Sequence, residues 1–367
     1  MTRVDERTFR LFVLFYFACL ALLSATTPLS PSEAKLFYEP RFIPSAWVAR
    51  ELHEWIPGMA GLRIFPYLLG VFNAGLFWQI LREYFPRRED RRFAFLIYLM
   101  LPGVIASAVL LNTAVYALSC VLLFLWAYLK GRFWLQLSAL AALVPSPTAT
   151  FAFYAALALY GYRKREYRLA ASALLFLIVV LALGTYGFSG RPRGHFLELL
   201  GVDAALFSPL FFIYYFYSLY RVSLEGPRDI FWYVSATALV VSLVLSIRQQ
   251  ILIVDFGPYL LAGAMIPVAV YLRSLRVRMR RFQRRYRLAA GAVVATLLLS
   301  ALVLFLHRPI YRLLGSPTHY FAAAIYEPYD QMIRLRSEGK KCYPRLRKRR
   351  YEAVMRFYGL QPCRKGK

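Results

Sequence analysis

Apolar segments close to the length that crosses a bilayer as a helix, about 17–25 residues, recur along almost the whole chain. They fall at 10–27, 60–81, 93–111, 113–129, 133–145, 148–162, 169–188, 205–220, 230–247, 254–272 and 288–306. In hydrocarbon every backbone N–H and C=O must find a partner within the protein, which leaves helices and closed barrels as spanning structures. The period-two alternation of a barrel strand is absent from these segments. The fold class is therefore all-α, a polytopic transmembrane helical bundle of about eleven spans by this count. Composition agrees: 59% of the residues are hydrophobic, against about 45–50% in a soluble chain.

The net charge of +27 would suggest nucleic acid in a soluble protein. In a membrane protein basic residues gather in cytoplasmic loops instead. With the N-terminus inside, the cytoplasmic segments carry 24 Lys and Arg, and the opposite face outside the tail carries 7. The expected orientation is N-terminus in and C-terminus out. The densest cluster, "RSLRVRMRRFQRRYR" at 273–287, reads as a solvated loop against anionic lipid, with no nucleic-acid partner. Arg3, Arg7 and Arg10 precede the first apolar run, which reads as an uncleaved signal anchor rather than a cleaved signal peptide. Two places leave the helix count open. "VPSPTAT" at 144–150 and Asn112–Thr113 each suit either a turn between two short helices or a break within one.

Two units follow: a bundle over 1–306 and a basic extracytoplasmic tail over 307–367. The first outer loop, 28–59, contains "FIPSAWVARELHEWIPGM", with Ile43, Trp47, Val48, Leu52, Trp55 and Ile56 at near-helical spacing. That pattern predicts an interfacial helix lying on the membrane surface. The tail is expected to form a small helical appendage. Cys342 and Cys363 both lie in it. If it is outside they suit a disulfide closing a loop of about 20 residues, stabilising by roughly 3 kcal/mol. In the cytosol both would be free thiols.

The motifs of soluble nucleotide and metal enzymes are missing, and His53, His195, His307 and His319 are scattered without metal-ligand spacing. Ionisable residues inside the spans, the mark of proton-coupled pumps, are not secure anywhere. Acids collect instead at the outer rim, as Glu33, Glu39, Glu51, Glu54, Glu198, Asp203 and Asp255. Near them in the sequence stand Arg63, Arg191, Arg193, His195, Arg248, Gln249 and Gln250. A carboxylate among cations at a lipid–water boundary suits an enzyme acting on an anionic lipid-linked substrate. The plain alternative is a set of solvated loop charges.

The order of features resembles a known group. "SEAKLFY" (32–38) is followed by the amphipathic segment and by "GLRIFPYLLGVFNAGLFWQILREYF" (61–85). Then come "LMLPGVIASAVLL" (99–111) and "AALVPSPTAT" (141–150). This series is similar to the GT-C superfamily of membrane glycosyltransferases, in the polyprenyl-phosphate-sugar-dependent branch that includes protein O-mannosyltransferases and lipid A aminoarabinose transferases. It covers roughly the first 165 residues and, more loosely, "RQQILIVDFGPYLL" (248–261). Glu33 and Ala34 match the acidic element of the first outer loop, with Ser32 where the family usually has Asp. Arg63 matches the arginine that opens the next helix, and Pro102–Gly103 match a Pro-Gly turn. Asn112–Thr113 stand where a second Asp is often found, and Ser146 replaces a frequent lysine.

The resemblance implies transfer of a sugar from a polyprenyl-phosphate donor to a glycolipid, lipid A or protein acceptor, by direct displacement with inversion. The active face would be extracytoplasmic, on the cytoplasmic (inner) membrane. Glu33 would be the catalytic base, and Arg63, Arg191, Arg248, Gln249 and Asp255 would hold the substrate and the lipid phosphate. A divalent cation is compatible with this chemistry, and nothing in the sequence requires one. Two other classes compete: a lipid-linked glycan flippase or transporter, which needs a polar central cavity, and a non-catalytic scaffold whose basic tail docks a partner.

Overall fold

The computed structural model describes residues 6–39, 41–187, 194–315, 320–340, 342–344, 346 and 348–363. It is helical almost throughout. Helix α1 (Glu6–Thr26) is followed by α2 (Pro31–Tyr38) and α3 (Pro44–Trp55), and then by α4 (Met59–Tyr84). Next come α5 (Arg88–Met100), α6 (Pro102–Val109), α7 (Ala114–Leu129), α8 (Phe133–Leu143), α9 (Thr150–Lys164) and α10 (Tyr167–Leu183). The second half holds α11 (Phe196–Phe207), α12 (Pro209–Glu225), α13 (Ile230–Ser246), α14 (Ile253–Ala262), α15 (Met265–Val277) and α16 (Arg280–Phe305). A C-terminal lobe closes the chain with α17 (His307–Leu313), α18 (Ala323–Ser337) and α19 (Glu352–Phe357). It also contains the two-residue strands β1 (Cys342–Tyr343) and β2 (Gln361–Pro362).

Each apolar run of the sequence is helical. Among the described residues, four helical stretches are long and apolar enough to span a bilayer: α1, α4, α14 with α15, and α16. Two further candidates are bent pairs, α5–α6 at 59° and α11–α12 at 103°. Both bends have a proline at the first position of the second helix, Pro102 and Pro209. Proline suits that position because the N–H it lacks would have no partner there. At the sharper bend Ser208 adopts φ 77°, a left-handed conformation a non-glycine residue rarely takes. The stretch 253–277 forms the centre of the bundle, with 83% of its apolar window buried, whereas α16 lies on the periphery with 11%. Asn112 and Thr113 link two helices, and their turn is fixed by the Asn112 side chain accepting from the Val115 N–H at 2.8 Å.

The segment 26–40 reads in sequence as a kinked polar loop, but it contains α2. Ser30 caps this helix by accepting from the Glu33 N–H at 3.2 Å, and Glu33 accepts in return from the Ser30 N–H at 2.9 Å. This is the reciprocal capping box, and Pro31 sits at its favoured first position. The expected amphipathic helix is α3. Its Ala46 and Ala49 are buried, and Trp47, Trp55 and Ile56 face outward. Close packing of α3 on α4 depends on Gly61, where a Cβ would lie 1.9 Å from the Ile56 carbonyl oxygen.

The tail is more than a helical appendage. Strands β1 and β2 pair in parallel, Cys342 and Cys363 are joined by a disulfide, and the Cys363 N–H donates to the Tyr343 carbonyl at 3.0 Å. Within the lobe Met332, Tyr343, Met355 and Leu360 form a small core. A second core joins the lobe to the segment between α1 and α4: Val354 packs with Leu29, Ala34, Ala49, Leu62 and Leu111.

Candidate functional site

Four elements meet around one buried ion pair. Arg63, on the first turn of α4, is 0% exposed and Glu33 1%. The guanidinium Nε donates to Glu33 Oε1 at 2.9 Å, and Nη2 donates to Oε2 at 2.8 Å. Nη1 donates to the carbonyls of Ser24 (2.8 Å) and Thr27 (2.6 Å), and Nη2 also reaches the carbonyl of Pro28 (2.9 Å). Those carbonyls lie at and just past the C-terminal end of α1, where backbone acceptors lack helical partners and a cation is favoured. Glu33 is engaged from the other side too. Its Oε1 accepts from the Leu111 N–H at 2.8 Å and its Oε2 from the Ser30 N–H. The pair thus ties α1, α2, α4 and the segment after α6 together. Each arginine N–H direction and both carboxylate oxygens are occupied.

The surface immediately outside this knot is a groove of about 780 Å³. One wall is the outer face of α2, where Ser32 and Lys35 stand at i and i+3 and so share a face, with Glu39 at the helix C-cap beyond them. Ser32 and Lys35 are exposed, and the Ser30 and Ser32 hydroxyls lie 3.0 Å apart. Leu110 forms part of the floor. The opposite wall comes from the C-terminal lobe: Ala324 and Ile325 near the start of α18, then Arg349, Arg350 and Ala353. Arg349 and Arg350 open a short 3₁₀ turn, Arg349–Tyr351. Beside it Tyr351 donates to Glu327 Oε2 at 2.6 Å and Lys348 to the same oxygen at 3.2 Å. The Tyr351 hydroxyl and the Glu327 carboxylate hold Lys348 above the ordinary lysine range.

The lobe is fastened to α2 and α3 by specific contacts. The Leu29 N–H donates to the Tyr358 hydroxyl at 3.2 Å. The Phe37 and Phe357 rings meet edge to face with centroids 5.5 Å apart. The Arg356 guanidinium lies over the Tyr38 ring at 4.6 Å, a cation–π contact.

The remaining residues singled out in the sequence form a separate cluster. Gln249 is buried and donates to the Tyr186 hydroxyl at 2.8 Å. Asp255 accepts from the Leu252 N–H at 3.2 Å, and its own carbonyl accepts from the Ala149 N–H at 3.1 Å. Asp255 therefore pins the "VPSPTAT" turn to α14, helped by the Thr148 hydroxyl 2.8 Å from that of Tyr259. Arg248 is exposed beside this cluster, and Arg191 lies outside the described residues. Asp203 is buried on α11, and its Oδ2 has no hydrogen-bond partner. Among the described residues no three His, Cys, Asp or Glu side chains converge as metal ligands. Arg349 and Arg350 went unnoticed as site residues because the sequence shows them only as part of the basic run "RLRKRR" (345–350).

No family model matches the chain, and no curated protein matches it in sequence. Among solved structures it is similar to the crystal structure of ArnT from Cupriavidus metallidurans in the apo state. The TM-score is 0.58 at 14% identity, over 96% of this chain and 84% of that one. The similarity spans the bundle and the lobe together, so the chain has an ArnT-like, polytopic helical membrane fold.

Proposed function

We propose that this protein is a membrane glycosyltransferase that moves a sugar from a polyprenyl-phosphate donor to a glycolipid, lipid A or protein acceptor. The observation that carries the proposal is the groove above α2, which Lys35, Arg349 and Arg350 line together with hydroxyl-bearing Ser30 and Ser32. Cations on two walls suit a phosphate that gains charge as its bond to the sugar breaks. The ArnT-like fold supports the reaction class that the sequence resemblance implies. No nucleotide is needed, because the lipid phosphate is the leaving group. In this scheme the acceptor oxygen attacks the anomeric carbon from the face opposite the phosphate, with inversion. The groove would open on the extracytoplasmic face of the inner membrane, as the charge distribution of the loops suggests.

The Glu33–Arg63 pair takes a structural part in this scheme. A carboxylate with both oxygens engaged by a guanidinium and two backbone N–H groups is poorly placed to take a proton from a substrate. An arginine with all its donors used has none left for a phosphate. Lys35, Arg349 and Arg350 replace Arg63 as the phosphate clamp, and the Gln249–Asp255 cluster holds a turn. The test is transfer from polyprenyl-phosphate sugars by the protein in lipid nanodiscs. Replacing Lys35, Arg349 or Arg350 with Ala removes a charge-assisted contact of about 1.5–3 kcal/mol and is expected to raise the donor KM roughly 10- to 150-fold. A donor KM unchanged in the triple variant would remove the groove from the reaction.

A further inference from the structure

The sugar transfer proposed above releases a proton from the acceptor hydroxyl, and the groove holds one group suited to receive it. Glu33 is sealed beneath α2, and Ser32, at the position next to it, offers a hydroxyl that is too weak a base. Among the described groove-lining residues Glu39 is the one carboxylate. It stands at the C-cap of α2, beyond Ser32 and Lys35, and lines the groove with Lys35, Arg349 and Arg350. We propose that Glu39 is the general base of this protein, the carboxylate having moved along α2 from the usual start of the helix to its end.

The backbone holds Glu39 firmly while leaving its side chain loosely engaged. It is the C-cap of α2, with φ −63° and ψ 124° and its N–H donating to the Leu36 carbonyl. That extended conformation is the one favoured before proline, and Pro40 follows in the sequence. From α3, Arg50 Nη1 donates to the Glu39 carbonyl at 2.9 Å. Among the described residues the carboxylate has one ion-pair contact, 3.9 Å to the exposed Arg41, and it is half-buried. General-base catalysis requires a carboxylate oxygen that can reach the acceptor proton, and a held backbone with a loosely engaged side chain allows it.

The step balances as follows. The acceptor oxygen forms a bond to the anomeric carbon as its proton passes to Glu39. The bond from that carbon to the phosphate oxygen breaks, and its electron pair leaves on the polyprenyl phosphate beside Lys35, Arg349 and Arg350. The proton on Glu39 then returns to water.

The test uses full-length protein in nanodiscs, with Glu39→Gln, Glu39→Asp and Glu33→Gln compared for kcat, KM, pH profile and binding of polyprenyl phosphate. Glu39→Gln is expected to lower kcat about 10²- to 10⁴-fold, to keep polyprenyl-phosphate affinity, and to lose the acidic limb of the pH–rate profile. Glu39→Asp should retain part of the rate and all of that limb. A Glu39→Gln rate within a few-fold of wild type overturns the proposal, as does a rate loss matched by an equal loss of lipid-phosphate binding. Wild-type protein that neither binds polyprenyl phosphate nor transfers from it would sink the glycosyltransferase proposal on which this one rests. Donor binding that persists while Glu39→Gln stays active would sink the Glu39 assignment alone.

Discussion

Replacing Arg63 with Ala should damage the protein far more than replacing any exposed arginine. The substitution strands the Glu33 carboxylate at 1% exposure and withdraws the donors from the carbonyls of Ser24, Thr27 and Pro28. Breaking a buried pair by removing one partner costs about 3–5 kcal/mol. Each carbonyl left dry and unpaired adds up to about 1–3 kcal/mol. Against a total folding stability of about 5–15 kcal/mol, the segment between α1 and α4 should come apart even if the bundle survives. Glu33→Gln is milder, because the amide oxygen still accepts from one of the Leu111 and Ser30 N–H groups while its NH₂ faces the guanidinium. The assay is thermal inactivation in nanodiscs, read with limited proteolysis of the 27–58 segment. Both variants should lose stability, and the double variant should lose less than the sum of the singles, as coupled neighbours do. A Glu33→Gln protein with wild-type thermal stability and no transfer would refute the structural assignment and make Glu33 the base. An Arg63→Ala protein as stable as wild type would show that the knot does not hold the loop.

Two further outcomes concern the C-terminal lobe. With Cys342 and Cys363 bonded and Cys19 and Cys120 free, denatured protein should titrate two thiols before reduction and four after. Reduction should cost the lobe about 3 kcal/mol, exposing 338–363 to protease and weakening polyprenyl-phosphate binding through the loss of Arg349 and Arg350. At the junction between α16 and the lobe, burial lowers the pKa of His307, and the nearby Arg63 and Arg308 charges lower it further. A depressed histidine takes its proton first in the unfolded chain. Stability should therefore be flat above about pH 6.5 and fall with acidification below it, levelling off once the folded His307 is also protonated. His307→Asn should flatten that slope in a thermal-inactivation series from pH 7 to 5.

The helices were legible because lipid imposes a blunt requirement, apolar length, which single residues seldom obscure. The misreadings occur where local geometry competes with hydropathy. Helix α11, "FLELLGVDAALF", is as apolar as a span but only 12 residues long, so by length the segment reads as loop when it is one arm of a sharp bend. Helix α2 was hidden by Pro28 and Pro31, although Ser30 followed by Glu33 three residues later is a readable N-terminal signature. Glu33 and Arg63 could be named from sequence, but that they answer one another depends on a fold that brings α1, α2 and α4 to one point. The far wall of the groove was illegible altogether. Arg349 and Arg350 stand among 15 basic tail residues, and nothing in one dimension distinguishes them as groove-lining.

Because the groove is made of residues 30–39 on one side and 349–353 on the other, the whole bundle separates its two walls in the sequence. The near wall leaves the ribosome before the bundle helices and the far wall after them. A chain interrupted between the two would fold with half a groove.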